Sequence, residues 1–565
     1  MKVPGLTALC NFLCICLSIF PPAKAATSPA PNHRRRRCVF GDECWPKDAE
    51  WKAFNESISG RLIRTFPSAN VCHGKQYDAA LCQTAKDHWT NGLWRTNQTG
   101  GYTSMLWEMG LDGECSIDTG QKAPCDAGLV PHFSVGVQEV KDIQASINLR
   151  IRRIFIWFLG RSSGKGALSI WTHYMKGRQW HKKFVPKGAP ANTSGTPAVT
   201  LYAGEQLQDA YAAAAEKGLI IVMGDSKTVG AAGGYFLGGG HSPFAHFYGL
   251  GADNVLEVTL VDAKGEYITI NQYTDPDYFY ALRGGGGNSW GVIVSVTMKT
   301  YPDHSHIQIG RVHLNATNNE TLRTILERTF SAISRVTEAG YVGYAGLGNG
   351  KSPTAFDGLF IQPNATNETF SEAFSLFVDM MSLQDVDGHV LSFDFPSWAS
   401  WCPHFLGDPN MGTNTISGSR LLTPEVLTNK SKEIVDLILK NQDYDPGFGF
   451  IGRVNPQERD NTAVHDIWKE SAALMTFGAT WSDDTPRDKA LKIKKDLIEL
   501  TEELGNIVGK AGGTYFNQAN PYERDWQNVF WGRKYEKLLA IKQRIDPSNL
   551  FVCNRCVGSD IILEP

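Results

Sequence analysis

The chain has 565 residues and a formal net charge of −3, and it is 42% hydrophobic and 20% charged. At roughly 150 residues per domain this length means several lobes. The composition is that of an ordinary globular protein, and a charge so near neutral excludes the basic footprint of a nucleic-acid binder. Glycine is abundant, at 56 residues, and clustered, which marks backbone that turns with positive φ or approaches something closely.

Residues 1–25 read as a secretory signal peptide, with Lys2 as the charged flank, an apolar run over 6–20, and small residues up to Ala25 and Ala26. That run falls short of the roughly 18–20 residues a membrane span needs. No later stretch is longer, so no membrane partner is expected. The run "HRRRRC" (33–38) reads as a solvated leader, with dibasic processing as the alternative. Sequons at Asn55, Asn97, Asn192, Asn315, Asn319, Asn364, Asn367 and Asn429 fit a secreted, N-glycosylated protein. Of twelve cysteines, three lie in the signal peptide. The other nine suit short-loop disulfides such as Cys38/Cys44 and Cys72/Cys82, with one thiol left over. The closing "CNRC" (553–556) has no second ligand pair for zinc. It reads as a disulfide or two free thiols, and no metal site is expected.

Residues 26–125 are rich in Cys and Trp with little periodicity, a cap stapled by disulfides. From 126 to 302 strands and helices alternate. "HFSVGVQEV" reads as a strand, "EVKDIQASIN" as the start of a helix, "IRRIFIWFLG" as a buried strand, and "ALSIWTH" and "AVTLYAG" as strands. "GEQLQDAYAAAAEKG" is an amphipathic helix stopped by Gly218, followed by the buried strand "LIIVMG". "NVLEVTLVDAKGEYITI" reads as two strands about a Lys-Gly turn. Residues 303–509 mix strands and helices and close on a long helix from Arg487. Residues 510–555 are aromatic and compact.

Three glycine-rich turns carry the chemistry. The densest, 224–258, has glycines at 224, 230, 233, 234, 238, 239, 240, 249 and 251. Successive glycines let backbone N–H groups converge on an anion, and a diphosphate is the natural guest. The spacing is not the G-x-G-x-x-G dinucleotide fingerprint. "AGLGNGKS" (345–352) lacks the first glycine of a phosphate loop. With "FLGRSSGKG" (158–166) and "RGGGGNSWGVI" (283–293), three such turns point to one extended cofactor rather than three ligands.

These turns, in "FLGRSSGKGALSIWTH", "TVGAAGGYFLGGGHSP", "YGLGADNVLEV" and "ALRGGGGNSWGVI", together with the closing "YFNQANPYERDWQNVFWGRKYEKLLAIKQRIDPSNLF", resemble the berberine-bridge-enzyme-like group of FAD-linked oxidoreductases in its secreted fungal form. That group lies within the vanillyl-alcohol-oxidase superfamily. The resemblance implies an α+β protein. A PCMH-type FAD-binding domain of two subdomains (126–302) is followed by a substrate domain with an antiparallel sheet covered by helices (303–509). A C-terminal segment (510–555) then returns to the FAD domain. It places Gly160, Arg161, Ser162 and Ser163 on a first FAD loop. Gly224, Thr228, Val229, Gly230, Gly233, Gly234, Gly239, Gly240 and Ser242 fall near the diphosphate and ribityl chain, and Asp253, Asn254 and Val258 near the adenine or ring edge. Tyr515 and Asn517 approach the flavin from the C-terminal segment. The activity implied is an oxidase that takes a hydride from a small alcohol or alkaloid-like substrate to flavin N5, with O2 as acceptor and H2O2 as product. The catalytic base is unassigned. Tyr515 is the one candidate, though packing against the ring is its first reading, and His241 reads as structural.

The chain departs from the family pattern twice. A Gly-His-Asp, whose histidine bonds the flavin, is absent before Phe158, where the residues are Ile-Phe-Ile-Trp. Helix end, strand and turn are disturbed together while both flanks match, which favours a shifted exon boundary over a lineage change. Ser226 stands where many relatives carry a second, cysteine link. His173 and His181 lie downstream and are not recruited. FAD is therefore expected without a covalent bond, and the alternative is a weakly active or non-catalytic relative.

Overall fold

The computed structural model describes residues 40–110, 114–152, 164–408, 411–454, 461–509 and 512–561. The signal peptide, the basic run at 33–38, the substituted stretch before Phe158, and Gly160, Arg161, Ser162 and Ser163 lie outside the described residues. The chain is an α+β protein, and its described residues form three sheets.

The first sheet has β1 (Leu62–Arg64) antiparallel to β2 (Phe133–Gly136), and β2 parallel to β3 (Leu168–Trp171). A parallel pair needs a crossover connection, and the helix Val140–Arg152 lies on it. Asp142, fully buried, accepts the N–H groups of Gln138 (3.0 Å) and Glu139 (3.2 Å) at the helix start and pairs with Arg61. The helix extends to Arg152, two residues into the run expected as strand. Ile143, Ile147 and Ile151 recur at helical spacing, and that period prevails over β-propensity. Ile143 and Ile147 pack with Val135 and Leu168, with Trp51 and Phe54 from the N-terminal segment, and with Leu550 and Phe551 from the far end of the chain.

The second sheet comprises β4 (Arg178–Phe184), β5 (Thr196–Tyr202), β6 (Leu219–Ile221), β7 (Val255–Val261), β8 (Tyr267–Ile270) and β9 (Val292–Pro302). The order is β4-β5-β9-β7-β8, with β6 pairing the end of β9. Gly218 takes φ +63° between the helix Leu207–Ala215 and β6, as its helix-stopping role requires. Edge strand β4 carries only Trp180 and Phe184 among polar residues, and none of its side chains is fully buried, so its apolar signal is weak.

The third sheet is antiparallel. It is built from β10 (Ile307–Ala316), β11 (Val342–Leu347), β12 (Thr354–Pro363), β13 (Val386–Phe395), β14 (Asn414–Leu422), β15 (Asp445–Ile451) and β16 (Ala473–Trp481), in the order β13-β10-β12-β11-β15-β16-β14. Helices Asn319–Glu338, Asn367–Met380, Ser431–Lys440 and Arg487–Val508 share a core with it around Phe330, Phe356, Phe360 and Phe374. Burial of each such ring is worth roughly 1.5–3 kcal/mol. The segment "AGLGNGKS" is the end of β11 and its turn into β12, so it is no phosphate loop.

Cys72–Cys82, Cys115–Cys125 and Cys553–Cys556 are disulfides, and Cys44 is also disulfide-bonded. Among the described residues the leftover thiol is Cys402, which is buried. No described helix is long and apolar enough to cross a membrane.

Candidate active site

Strand β6 delivers the chain into the long glycine stretch at Gly224. Residues 225–228 immediately meet the segment between β13 and β14. Gly407 N donates to Asp225 O and Lys227 N to Gly407 O, both at 3.0 Å. Ser226 Oγ donates to Asp408 Oδ1 at 2.8 Å, and Thr228 Oγ1 donates to the same oxygen at 3.1 Å. The Ser226 hydroxyl, which the family resemblance matches to a cysteine link, is thus committed to a carboxylate from the third-sheet region. No sequence signal pointed to Asp408.

The next turn is open on one side. At Gly230, Gly233 and Gly234 no atom lies within 4 Å of where a Cβ would project, and at Gly287, on the third glycine turn, only Gly234 Cα does, at 3.9 Å. A phosphate oxygen can therefore reach this backbone without meeting a side chain. Further on the glycines have a different purpose. A Cβ on Gly238 would overlap the Asn517 amide, and one on Gly240, where φ is +81°, would lie 2.8 Å from the Tyr235 ring. Tyr235 Oη donates to the carbonyls of Gly240 (3.2 Å) and His241 (3.1 Å) and fixes that bend.

The C-terminal segment holds both turns. Asn517 Nδ2 donates to Gly234 O at 3.0 Å, and it lies 2.8 Å from Tyr515 Oη. Trp531 Nε1 donates to Gly284 O at 3.0 Å. Lys542, 2% exposed, donates to Ser289 O (2.7 Å), Phe551 O and Asp546 Oδ2 (2.7 Å). The Cys553 and Cys556 sulfurs lie 3.5 and 3.6 Å from Gly287 O.

Beyond Gly240 the stretch enters an aromatic enclosure. The His241 ring is 5.0 Å from Tyr515, 5.2 Å from Phe450 on β15, 5.9 Å from Tyr344 on β11 and 6.5 Å from Trp468. Burial lowers the His241 pKa, with Asp225 opposing, and raises those of Tyr344 and Tyr235 well above the usual phenol value. His241 Nδ1, Tyr344 Oη and Gln518 Oε1 are buried without a hydrogen-bond partner among the described residues. Tyr344 and Gln518 were not singled out from the sequence, since tyrosine on a strand and glutamine in a loop carry no local signature.

The remaining expected residues are placed as follows. Thr228 is buried and bonded to Asp408, whereas Val229 is 36% exposed. Ser242 Oγ accepts Phe244 N at 3.2 Å. Asp253 Oδ2 accepts Leu250 N at 2.9 Å. Asn254 gives its amide N–H groups to Tyr248 O and Leu250 O and accepts Tyr301 Oη at 2.7 Å, so its visible bonds are all internal. Val258 is fully buried on β7 between Ile270 and Val296.

Two family patterns cover these elements, an FAD binding domain over residues 160–271 and a berberine and berberine-like segment over 514–557. An uncharacterized FAD-linked oxidoreductase of Arthroderma benhamiae is 53% identical over 549 residues, covering 95% of this chain and 97% of its own. The chain belongs to the berberine-bridge-like FAD-linked oxidoreductases. An FAD-linked oxidoreductase of Gibberella zeae is 30% identical, with 93% of each chain covered. The VAO-type flavoprotein MtVAO615 of Myceliophthora thermophila C1 superposes with a TM-score of 0.83 at 26% identity, covering 93% of this chain and 97% of that one. The oxidoreductase therefore has the two-domain architecture of that superfamily, and FAD is its cofactor. The open glycine backbone at 230–234, facing Gly287, fits the group.

Proposed function

We propose that this oxidoreductase is a secreted oxidase for a small alcohol or alkaloid-like metabolite. FAD, when bound, would supply the two-electron acceptor for a hydride from the substrate, with O2 as the final acceptor and H2O2 as its product. Gly230, Gly233, Gly234 and Gly287 would bear the diphosphate through their backbone, and Asn517 would fix the turn from behind. The enclosure of His241, Tyr344, Phe450, Trp468 and Tyr515 would exclude water from the reacting carbon. The observation that carries the reading is this enclosure, which joins the glycine stretch, two strands of the third sheet and the C-terminal segment around unpaired polar atoms. Disulfides in the described residues and the N-terminal leader support export.

The cofactor is proposed to be held without a covalent link. No histidine precedes Phe158 within the substituted stretch, and the Ser226 hydroxyl is bonded to Asp408. Acid precipitation of the purified yellow protein should release flavin to the supernatant. Peroxide should form aerobically with a member of an alcohol panel spanning benzyl alcohol, glucose and cello-oligosaccharides. Colour kept in the pellet overturns the attachment. Bound flavin that no panel member reduces favours the non-catalytic relative.

A further inference from the structure

We infer that His241, not a tyrosine, is the group that takes the substrate's proton, and that Tyr344 positions the substrate hydroxyl beside it. This rests on the oxidase reading above and deepens it. His241 is 4% exposed, yet its Nδ1 has no partner among the described residues, and the same is true of Tyr344 Oη on β11. Their rings stand 5.9 Å apart between centroids. An unpaired buried polar atom costs about 1–3 kcal/mol, and two such atoms on neighbouring rings from separate elements are what a site for a third polar group would present. Hydroxyl is the chemistry that satisfies both, giving a proton to a ring nitrogen and accepting one from a phenol.

The electrostatics select between the two. The titratable groups around His241 are Asp225, Tyr235, Tyr344 and Tyr515. Burial keeps Tyr344 a neutral phenol at any physiological pH, able to donate but not to act as a base. The same burial keeps the imidazole neutral, and a neutral imidazole with Nε2 protonated offers Nδ1 as an acceptor. Asp225 opposes the burial effect and so stabilises the imidazolium once it forms. In the step the substrate O–H bond breaks and its proton passes to Nδ1. The adjacent C–H bond gives its electron pair, as hydride, to the bound cofactor, and the C=O π bond forms. O2 then takes the two electrons and both hydrogens and leaves as H2O2.

The test uses the holoenzyme, wild type against His241→Gln, His241→Asn and Tyr344→Phe, with two readouts. In the first, the visible flavin spectrum is titrated without substrate from about pH 8 to about pH 4. Wild type should show a one-proton change below 6.5, the ordinary histidine value. Both His241 variants should lose it, and Tyr344→Phe should keep it. In the second, anaerobic flavin bleaching is followed with the fastest alcohol of the panel. Both His241 variants should be slower by roughly 10²–10⁴-fold, with FAD content unchanged and the acidic limb of the rate profile gone. Tyr344→Phe should weaken substrate binding more than it slows the step. A spectral transition that persists in both His241 variants, or bleaching at the wild-type rate, overturns the assignment. If no alcohol bleaches the wild type, the oxidase reading fails while the spectral titration still decides where His241 sits.

Discussion

Replacing Lys542 by methionine removes one charge from the centre of the C-terminal grip with little change in volume. Its ammonium donates to the carbonyls of Ser289 and Phe551 and to Asp546, and it is 2% exposed. Three charge-assisted bonds at about 1.5–3 kcal/mol each set a ceiling near 9 kcal/mol, but that ceiling is not reached. Breaking a buried pair costs about 3–5 kcal/mol, chiefly by leaving the partner charge uncompensated. Asp546 keeps the N–H groups of Leu550 (2.7 Å) and Phe551 (2.8 Å) and the Ser548 hydroxyl, so Lys542→Met should cost about 3 kcal/mol. The loss is directional as well, because Ser289 belongs to the third glycine turn. FAD retention after gel filtration should therefore fall more than global stability suggests. Urea unfolding followed by tryptophan fluorescence, with flavin content measured in parallel, checks both. A destabilisation under about 1 kcal/mol with full flavin content would refute the claim that this lysine anchors the cofactor turn.

Gly238→Ala should displace the Asn517 amide and lower bound flavin several-fold, and adding Asn517→Ala should restore part of the fold but not the binding, as read from the flavin-to-protein absorbance ratio. Burial holds His465 down at about 4, with Asp466 opposing. The unfolded chain therefore binds the extra proton between pH 6.5 and about 4, and stability is lost as pH falls through that window, by up to roughly 3 kcal/mol. His465→Asn should flatten that part of a stability–pH curve, and an unchanged slope would contradict it. The Cys402 thiol is buried and pushed up to about 12 by desolvation and then by Asp303. Iodoacetamide should label it only in denaturant, as mass spectrometry of the peptide will report. Asp408→Ala should uncouple the 225–228 segment from the third-sheet region and free Ser226 and Thr228, lowering stability by about 2 kcal/mol.

The parts of the fold with a local period or turn chemistry were readable from the sequence. The helices at Leu207 and Arg487 and the β7–β8 hairpin about Lys264 and Gly265 stand where periodicity and turn chemistry placed them, and the odd cysteine count foretold a leftover thiol without saying which. The glycine turns were legible because glycine is needed wherever backbone must be approached closely. What escaped notice depends on contacts between distant segments. Strand β4 carries only Trp180 and Phe184 among polar side chains, and Asp408 and Tyr344 acquire meaning only when the 225–241 stretch is folded against them. His241 was legible as a residue of the glycine stretch but not as a base, since its unpaired nitrogen is a property of the enclosure and not of the local sequence.

The core around the helix Val140–Arg152 draws Trp51 and Phe54 from near one end of the chain and Leu550 and Phe551 from near the other. A ribosome delivers the first pair long before the second. The seven strands of the third sheet, by contrast, all lie within 307–481 and are complete before Leu550 and Phe551 are made. The cofactor-binding half must therefore wait, part-built, until Leu550 and Phe551 have been made before its first sheet is sealed. Removing residues 551–565 should leave a protein with its third sheet intact that purifies without colour.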